Sequence, residues 1–272
     1  MTKSSHRVVR LAISLLVMAL IPTVCLADQA KPGFQIIATD PGLSLHKEMF
    51  MLPVTFSSKY HGRKTEAVFQ ISAKYRLFNS RLYFGYTQIS FWQAYDHKNS
   101  APFRETNYNP ELFYRTRLYP FSRGHAGADI GFEHESNGQI PPVSRSWNLL
   151  YFSPYYTARD LLVYGKFRYR IPEKDKASPL DAEGDDNPDI TDYLGYSDVH
   201  LYYALWKSQR IHLMVRGNVA TGMYGMVLNY SARIPGSTTS YFFLRFSQGY
   251  GESLVDYKKS LTRVGIGFAF VR

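Results

Sequence analysis

The chain contains very little cysteine: among its 272 residues, Cys25 is the single thiol. This excludes a disulfide framework and a cysteine metal site as the basis of the fold. After residue 27 the chain also lacks the run of about 20 apolar residues that a membrane-spanning helix needs. Lysine and arginine are in excess, with a formal net charge of +10, but they form no run. Nucleic acid is therefore not an expected partner.

The one long apolar run lies near the N-terminus and reads LAISLLVMALIPTVCLA. Three basic residues and no acid precede it, an arrangement typical of a secretory signal. We predict that residues 1–27 are removed and that residues 28–272 form a single domain. The net charge then falls from +10 to +7, because three basic residues leave. Lipid attachment at Cys25 is the alternative, which the bulky residues before it disfavour.

Aromatic residues are abundant, at 16% of the chain including 22 tyrosines, although the mean hydropathy is −0.27. A soluble core seldom needs so many tyrosines. Rings with one wet end suit the two interfaces of a membrane barrel. An exported basic protein of this composition is expected to meet anionic lipid.

Apolar and polar residues alternate with period two along most of the chain, which is typical of strands with one oily face. Each candidate segment has about the length that a tilted membrane strand requires. The sequence therefore predicts an all-β fold, a twelve-stranded antiparallel transmembrane β-barrel. A soluble secreted β-sandwich is the alternative, because alternation alone does not say which face is wet. The twelve segments are 49–57, 66–76, 81–93, 109–120, 126–136, 146–157, 160–170, 191–206, 210–220, 223–233, 239–249 and 261–271.

The connections between these segments differ in length. Long polar ones, such as EKDKASPLDAEGDDNPD, alternate with tight turns, such as residues 207–209. Long loops on one side and tight turns on the other fit an outer-membrane barrel.

The segment EHESNGQIPPVSRSWN, residues 133–148, carries three side chains that suit a hydrolase. His134 and Ser136 share strand parity with the apolar Phe132, so in a barrel we expect them to face lipid. A hairpin that joins segments 126–136 and 146–157 brings Asn148 beside His134.

This grouping has a plausible chemistry. His134 can take the Ser136 proton as a general base, and Asn148 can hold the histidine tautomer. Asparagine cannot stabilise an imidazolium as aspartate does, so a cation is a natural supplement. The backbone amides of Ser136 and Gly138 are candidates for an oxyanion hole. Because an H-x-S pair is common, ordinary polar residues at a membrane interface are the alternative.

HESNG followed by SRSWN resembles outer-membrane phospholipase A, the calcium-dependent outer-membrane lipase barrel family of Gram-negative bacteria. YTQISFWQ, PFRETNY, DDNPDIT, GYGESLVDY and TRVGIG resemble the same family, in the same order, across about residues 50–267. The resemblance implies a twelve-stranded barrel with Ser136 as nucleophile, His134 as base and Asn148 as orienting residue.

The resemblance also implies an activity and a location. The expected reaction is hydrolysis of acyl ester bonds of glycerophospholipids and lysophospholipids at either acyl position. The expected cofactor is Ca²⁺, and the expected partners are phospholipid substrate, outer-membrane lipids and a second copy of the chain. The active form is expected to be a homodimer and the inactive form a monomer, with the active site towards the outer leaflet of the bacterial outer membrane.

Calcium ligands follow from the resemblance as well. Ser144 corresponds to a hydroxyl ligand, Gln139 to a backbone carbonyl ligand, and Ser100 to a carbonyl that the other subunit donates. Asp186 resembles a ligand of a further calcium site, and a solvated acidic loop is its alternative. Oxygen atoms of these kinds are the ligands that calcium prefers. Pro141 departs from the family, which often has an aspartate there.

Gln88 resembles a polar residue that hydrogen-bonds across the dimer interface, and an interior channel residue is its alternative. Two other functions compete with the phospholipase. One is a non-enzymatic outer-membrane barrel, such as a porin or lipid transporter, which does not explain the three polar residues on the lipid-facing parity. The other is a lipid A acyl hydrolase, which the surrounding motifs favour less than a phospholipase.

Overall fold

The structure is a computed structural model that describes residues 33–57, 64–206 and 208–270. The predicted signal, residues 1–27, lies outside the described residues. Within the described ranges, no helix has both the length and the apolar character to cross a membrane.

The described residues are organised mainly as strands, with one short α-helix at Ile190–Leu194. The elements are β1 (Leu43–Leu45), β2 (Met49–Ser57), β3 (Thr65–Leu77), β4 (Leu82–Trp92), β5 (Phe103–Arg115), β6 (Tyr119–Phe121), β7 (Gly124–Ser136), β8 (Ser146–Ala158), β9 (Leu161–Arg170), α1 (Ile190–Leu194), β10 (Ser197–Trp206), β11 (Gln209–Asn218), β12 (Met223–Arg233), β13 (Ser240–Gly249) and β14 (Leu261–Phe270). Single 3₁₀ turns lie at Gln35–Ile37 and His97–Asn99.

Twelve of these strands close into an antiparallel barrel, because each long strand pairs with the next and β14 pairs with β2. The two short strands are additions to this ring: β1 pairs with β3, and β6 pairs with β7. Closure gives each of the twelve long strands a partner on both sides, which is what a sheet surrounded by hydrocarbon requires. The predicted twelve-stranded antiparallel barrel is confirmed.

Most strand bounds agree with the prediction within two residues, but two segments differ. β5 begins at Phe103 rather than at residue 109, because polar residues at its start face the interior. Arg104 among them pairs with the buried Glu66 at 2.9 Å, so the apolar alternation is interrupted where the strand begins.

The second difference is that residues 190–194, most of which were predicted as strand, form α1. Ile190 and Leu194 are four residues apart, so they lie on one face of a helical turn. Both are buried in a cluster with Trp147 and Leu254. Packing of this apolar pair therefore outweighs the strand pattern.

The barrel wall has an apolar outside and a polar inside. Along β7, Ile130 and Phe132 are 54% and 39% exposed, whereas Glu133 is 3% exposed. The same alternation places Phe152 outside on β8 and Ser153 inside. An apolar outer face with a polar interior is typical of an outer-membrane barrel.

Buried charges inside the barrel are paired across several strands. Lys166 on β9 bridges Glu111 on β5, at 3.0 Å, and Glu133 on β7. Arg168 links Glu133, at 3.0 Å, to Asp198 on β10. A buried charge is tolerated when it is paired in this way. The network therefore holds the inner side of β7 to its neighbours.

The segment before β2 packs inside the barrel at the end with the short turns. Phe34, Ile36 and Ile37 are buried against the interior residues Tyr155 and Leu162. Backbone carbonyls of this segment also accept hydrogen bonds from Lys74 and Arg115, which satisfies polar groups inside the barrel.

We expect Lys166→Met to destabilise the folded barrel, because it leaves two buried carboxylates without their shared cation. The free energy of unfolding should fall by less than the roughly 3–5 kcal/mol that an uncompensated buried charge costs, because Lys47 and Arg168 still pair with the two carboxylates. The measurement is urea unfolding of the detergent-folded barrel, in which the mobility of the protein on unheated gels reports the folded fraction. Arg159→Ala, which removes an exposed pair at 3.4 Å, is the control and should change stability by less than about 0.5 kcal/mol. Equal effects of the two variants would contradict a structural role for the network.

Candidate active site

Strands β7 and β8 bring the three predicted catalytic residues to one place on the outer wall. The register pairs His134 with Asn148, and His134 Nδ1 lies 2.9 Å from Asn148 Oδ1. Ser136 is two residues further along β7, so it shares the outer face with His134 and Phe132. The group therefore lies where the apolar wall meets the long-loop end of the barrel.

The inner faces of the same strands fix their position. Glu135, between the histidine and the serine, accepts a hydrogen bond of 2.8 Å from the indole nitrogen of the buried Trp147. Glu133, on the other side of the histidine, is held by the interior ion pairs. Groups on braced strands keep a more definite geometry than groups on loops.

The β7–β8 loop, residues 137–145, is organised by the side chain of Asn137. Its Oδ1 accepts hydrogen bonds from the amides of Arg145, at 2.9 Å, and Gln139, at 3.3 Å, and its Nδ2 donates to the Val143 carbonyl at 2.9 Å. The buried Asn137 thus replaces part of the regular turn pairing. Sequence reasoning did not assign it this role, although asparagine before glycine is a turn signal.

This loop also bears on the predicted oxyanion hole. The amide of Asn137 donates to the Arg145 carbonyl at 3.0 Å, so it is already engaged. Gly138 has a φ of +64°, which favours glycine, and the Tyr108 ring lies 3.2 Å from where a Cβ would stand. The amides of Ser136 and Gly138 stay predictions for the oxyanion hole.

Two of the predicted cation ligands are in direct contact. Ser144 Oγ donates to Asp186 Oδ2 at 2.6 Å, and Ser146 Oγ lies 3.5 Å from the same oxygen. Gln139 is exposed on the same loop as Ser144. Ser100 is exposed on a different loop, between β4 and β5. The structure therefore unites Ser144 with Asp186, although the family resemblance implies that they belong to separate calcium sites.

Lys176 is a partner of this pair that the sequence did not reveal. Its ammonium forms an ion pair with the second oxygen of Asp186 and donates to the Asp181 carbonyl at 2.8 Å. The side chains of Lys176 and Asp186 are 10% and 9% exposed, so Asp186 is not a solvated loop acid. Within the described ranges, no cluster of three or more histidine, cysteine, aspartate or glutamate side chains is placed to hold a metal.

The loop that carries these residues is fastened at its end. Asn187 Oδ1 accepts from the Ser146 amide at 3.1 Å, which ties the loop to β8. Asp189 accepts hydrogen bonds from Tyr257 and Lys258 of the β13–β14 loop. Partial burial raises the pKa of the Asp189 carboxyl, but these hydrogen bonds outweigh it and hold the pKa below its usual value.

Gln88 lies on the outer wall, because it shares the face of Phe84, which is 46% exposed. Across the sheet it pairs with Tyr108, which in turn pairs with Ser136. Its side chain accepts from Tyr86 at 3.0 Å and donates to Ser90 at 3.1 Å. The alternative of an interior channel residue is therefore wrong.

These features define a class of protein: a closed barrel with an apolar outer wall, of the kind found in outer membranes, with a serine, a histidine and an asparagine grouped on that wall. Residues 41–270 match the family model described as Phospholipase A1, and the chain belongs to this family. The predicted family is confirmed, and with it the prediction that this chain is a phospholipase.

Relatives and solved structures agree with this assignment. The chain is 35% identical to a putative phospholipase A1 of Neisseria meningitidis over 84% of its own length, and it spans 65% of that relative. It is similar to the structure of outer membrane phospholipase A from Escherichia coli, with a TM-score of 0.78 and 31% identity over 89% of this chain and 98% of that one. A Salmonella typhi outer membrane phospholipase, crystallised as a dimer with bound calcium, gives a TM-score of 0.78 at 32% identity over the same shares.

Proposed function

We propose that this protein is a calcium-dependent phospholipase A of the bacterial outer membrane. Its substrates are glycerophospholipids and lysophospholipids, and its active form is a homodimer. The observation that carries the proposal is the 2.9 Å contact between His134 Nδ1 and Asn148 Oδ1, beside Ser136, on the lipid-facing wall of a barrel in this family.

The acylation step uses three side chains. Asn148 Oδ1 accepts a hydrogen bond from the Nδ1–H group of His134, which leaves Nε2 free to accept a proton. Nε2 takes the Ser136 proton as Oγ attacks the ester carbonyl, and the acyl group is transferred to the serine. His134 then gives this proton to the glycerol oxygen, which leaves as part of a lysophospholipid.

In the second step water attacks the acyl-serine. His134 takes a proton from this water and returns it to Ser136 as the fatty acid leaves. The amides of Ser136 and Gly138 donate to the carbonyl oxygen, which bears negative charge in both steps. A lysophospholipid reacts by the same route, because the chemistry concerns a single ester.

Calcium fits the oxygen-rich set around Ser144. The Ser144 hydroxyl and the Asp186 carboxylate are ligands of the type that a hard cation prefers, and backbone carbonyls of Gln139 and of Ser100 from the second copy complete the proposed set. When bound, calcium supplies positive charge that stabilises the developing oxyanion. Because Lys176 already neutralises one oxygen of Asp186, we expect no separate second calcium site there.

The proposed arrangement in the membrane follows from the loops. The site lies at the long-loop end, which in outer-membrane barrels faces outward, so it meets the outer leaflet. We propose that residues 1–27 direct export and are removed, and that residues 28–272 are the single mature domain.

The proposed dimer uses the wall that carries Gln88. A polar side chain buried between two barrels in lipid favours association, because its hydrogen bonds find partners there. The monomer is inactive in this proposal, since a ligand from the second copy is missing.

The detergent-folded protein should release fatty acid from phospholipid vesicles with calcium and not with a chelator. Ser136→Ala should lower kcat by at least about 10³-fold, because the nucleophile is lost. Ser260→Ala, an exposed serine outside the site, is the matched control and should retain full activity. If Ser136→Ala is as active as the wild type while folded, the nucleophile is wrongly assigned. If the wild type is inactive on every phospholipid, a porin, a lipid transporter or a lipid A hydrolase becomes the better reading.

Lys176→Ala should increase calcium affinity, because it removes a competing positive charge from Asp186. Lys174→Ala removes an exposed charge from the same loop and is the matched control. Calorimetric titration with calcium alone measures both variants without substrate. Unchanged affinity in Lys176→Ala would show that Asp186 takes no part in calcium binding.

Gln88→Ala should reduce the dimer fraction and the activity together, whereas a variant at the exposed Ile71 on the neighbouring strand, Ile71→Leu, should change neither. Sedimentation in detergent with calcium measures the dimer fraction. A fully dimeric Gln88→Ala protein would place the contact elsewhere on the wall.

A further inference from the structure

Asn148 has a second partner, Glu173, on the side away from the histidine. Its amide nitrogen Nδ2 donates to Glu173 Oε1 at 3.0 Å. Glu173 follows β9 by three residues, and the chain just before it is fastened to the same asparagine, since the Ile171 amide donates to the Asn148 carbonyl at 2.8 Å. The start of the β9–α1 loop is therefore held at Asn148 by one backbone hydrogen bond and one side-chain hydrogen bond.

The carboxylate decides which way the asparagine amide faces. An ionised glutamate accepts hydrogen bonds and has none to donate. The group of Asn148 that faces Glu173 must therefore be the NH₂, which leaves Oδ1 towards His134. A flipped amide would set Oδ1 against the carboxylate and NH₂ against the histidine, so it would lose one hydrogen bond and add a repulsion between two acceptors.

The amide orientation in turn decides the histidine tautomer. Because Oδ1 is an acceptor, the facing Nδ1 of His134 must carry the hydrogen. Nε2 is then the basic nitrogen, as removal of a serine proton requires. With the amide flipped, Nδ1 would be the acceptor and Nε2 would carry the hydrogen, so the histidine could not act as the base.

The carboxylate also contributes charge. Asn148 has no negative charge to stabilise the imidazolium of His134. Glu173 supplies a negative charge on the far side of Asn148, separated from the imidazolium by that one side chain. A hydrogen bond from Nδ2 to a carboxylate polarises the amide and makes Oδ1 a stronger acceptor, because linked hydrogen bonds reinforce one another. Both effects grow where the dielectric constant is low, as at a lipid-facing wall.

We propose that Glu173 is a positioning residue that acts through Asn148, so that the site is a chain of four side chains, Ser136, His134, Asn148 and Glu173. The inference rests on the proposed function, since it assigns a role in that same reaction. Glu173 touches neither the serine nor the substrate in this proposal; it sets the amide orientation and the charge behind the histidine.

The test is a double-mutant cycle on the full, folded protein, with fatty acid release from phosphatidylcholine vesicles as the readout. Glu173→Gln should lower kcat by about ten- to a hundredfold, the range found when the outer hydrogen-bond partner of a metal-binding histidine is removed, with little change in KM. In the Asn148→Ala background the same change should cost less than about twofold, because the residue through which it acts is gone. Glu183→Gln, which removes an exposed charge from the same loop, should have no effect.

A second readout separates positioning from support of the loop. The acid limb of the kcat–pH profile should move to lower pH in Glu173→Gln, because the imidazolium loses a nearby negative charge. Calcium affinity and the dimer fraction should stay at wild-type values, and Glu173→Asp should recover part of the rate.

Three results would overturn the inference: wild-type kcat in Glu173→Gln, an equal loss in both backgrounds, or a loss that follows calcium affinity while the pH profile is unchanged. In these cases a silent Ser136→Ala variant would still support the proposed function. If Ser136→Ala and Asn148→Ala both keep wild-type activity, the proposed site itself fails, and the role of Glu173 fails with it.

Discussion

Backbone hydrogen bonding in hydrocarbon is the constraint on which this structure depends. No water is available there, so every amide and carbonyl of the wall needs a partner within the sheet. The chain meets this requirement by pairing β14 with β2. In such a closed wall, successive side chains of a strand face lipid and interior alternately, so a shift of one residue moves a side chain from one side of the wall to the other. His134 and Ser136 are therefore outside because Glu133 and Glu135 are inside.

The two sides of the wall have different tasks at the site. Inside, charges and an indole hold β7 and β8 in place, as the contacts of Glu133 with Lys166 and of Glu135 with Trp147 show. Outside, His134 and Asn148 contact each other beside Ser136. The loop after β9 joins the inner and outer sides of the site. It leaves a barrel strand and, within a few residues, contacts Asn148 through the Ile171 amide and the Glu173 side chain.

Much of this arrangement was predictable from local periodicity. Parity places Ser136 and His134 on one face, and a hairpin between adjacent strands brings Asn148 to them. Lys176 and Glu173 could not be found in this way, because a loop has no period that fixes where its side chains point. The helix α1 was not predicted for a related reason. Its two buried residues have helical spacing, but only their packing in a tertiary cluster decides that this segment forms a helix.

In the proposed mechanism, the position of Ser136 on the outside of a wall, rather than in a pocket open to water, changes what substrate concentration means for this protein. Lipids reach such a serine by lateral diffusion in one leaflet, so the governing quantity is the mole fraction of substrate in that leaflet. Bulk lipid concentration then matters only until the protein is embedded. With the site at the outer leaflet, as proposed, leaflet asymmetry controls the supply: a membrane that keeps phospholipid out of its outer leaflet withholds substrate without any change in the protein.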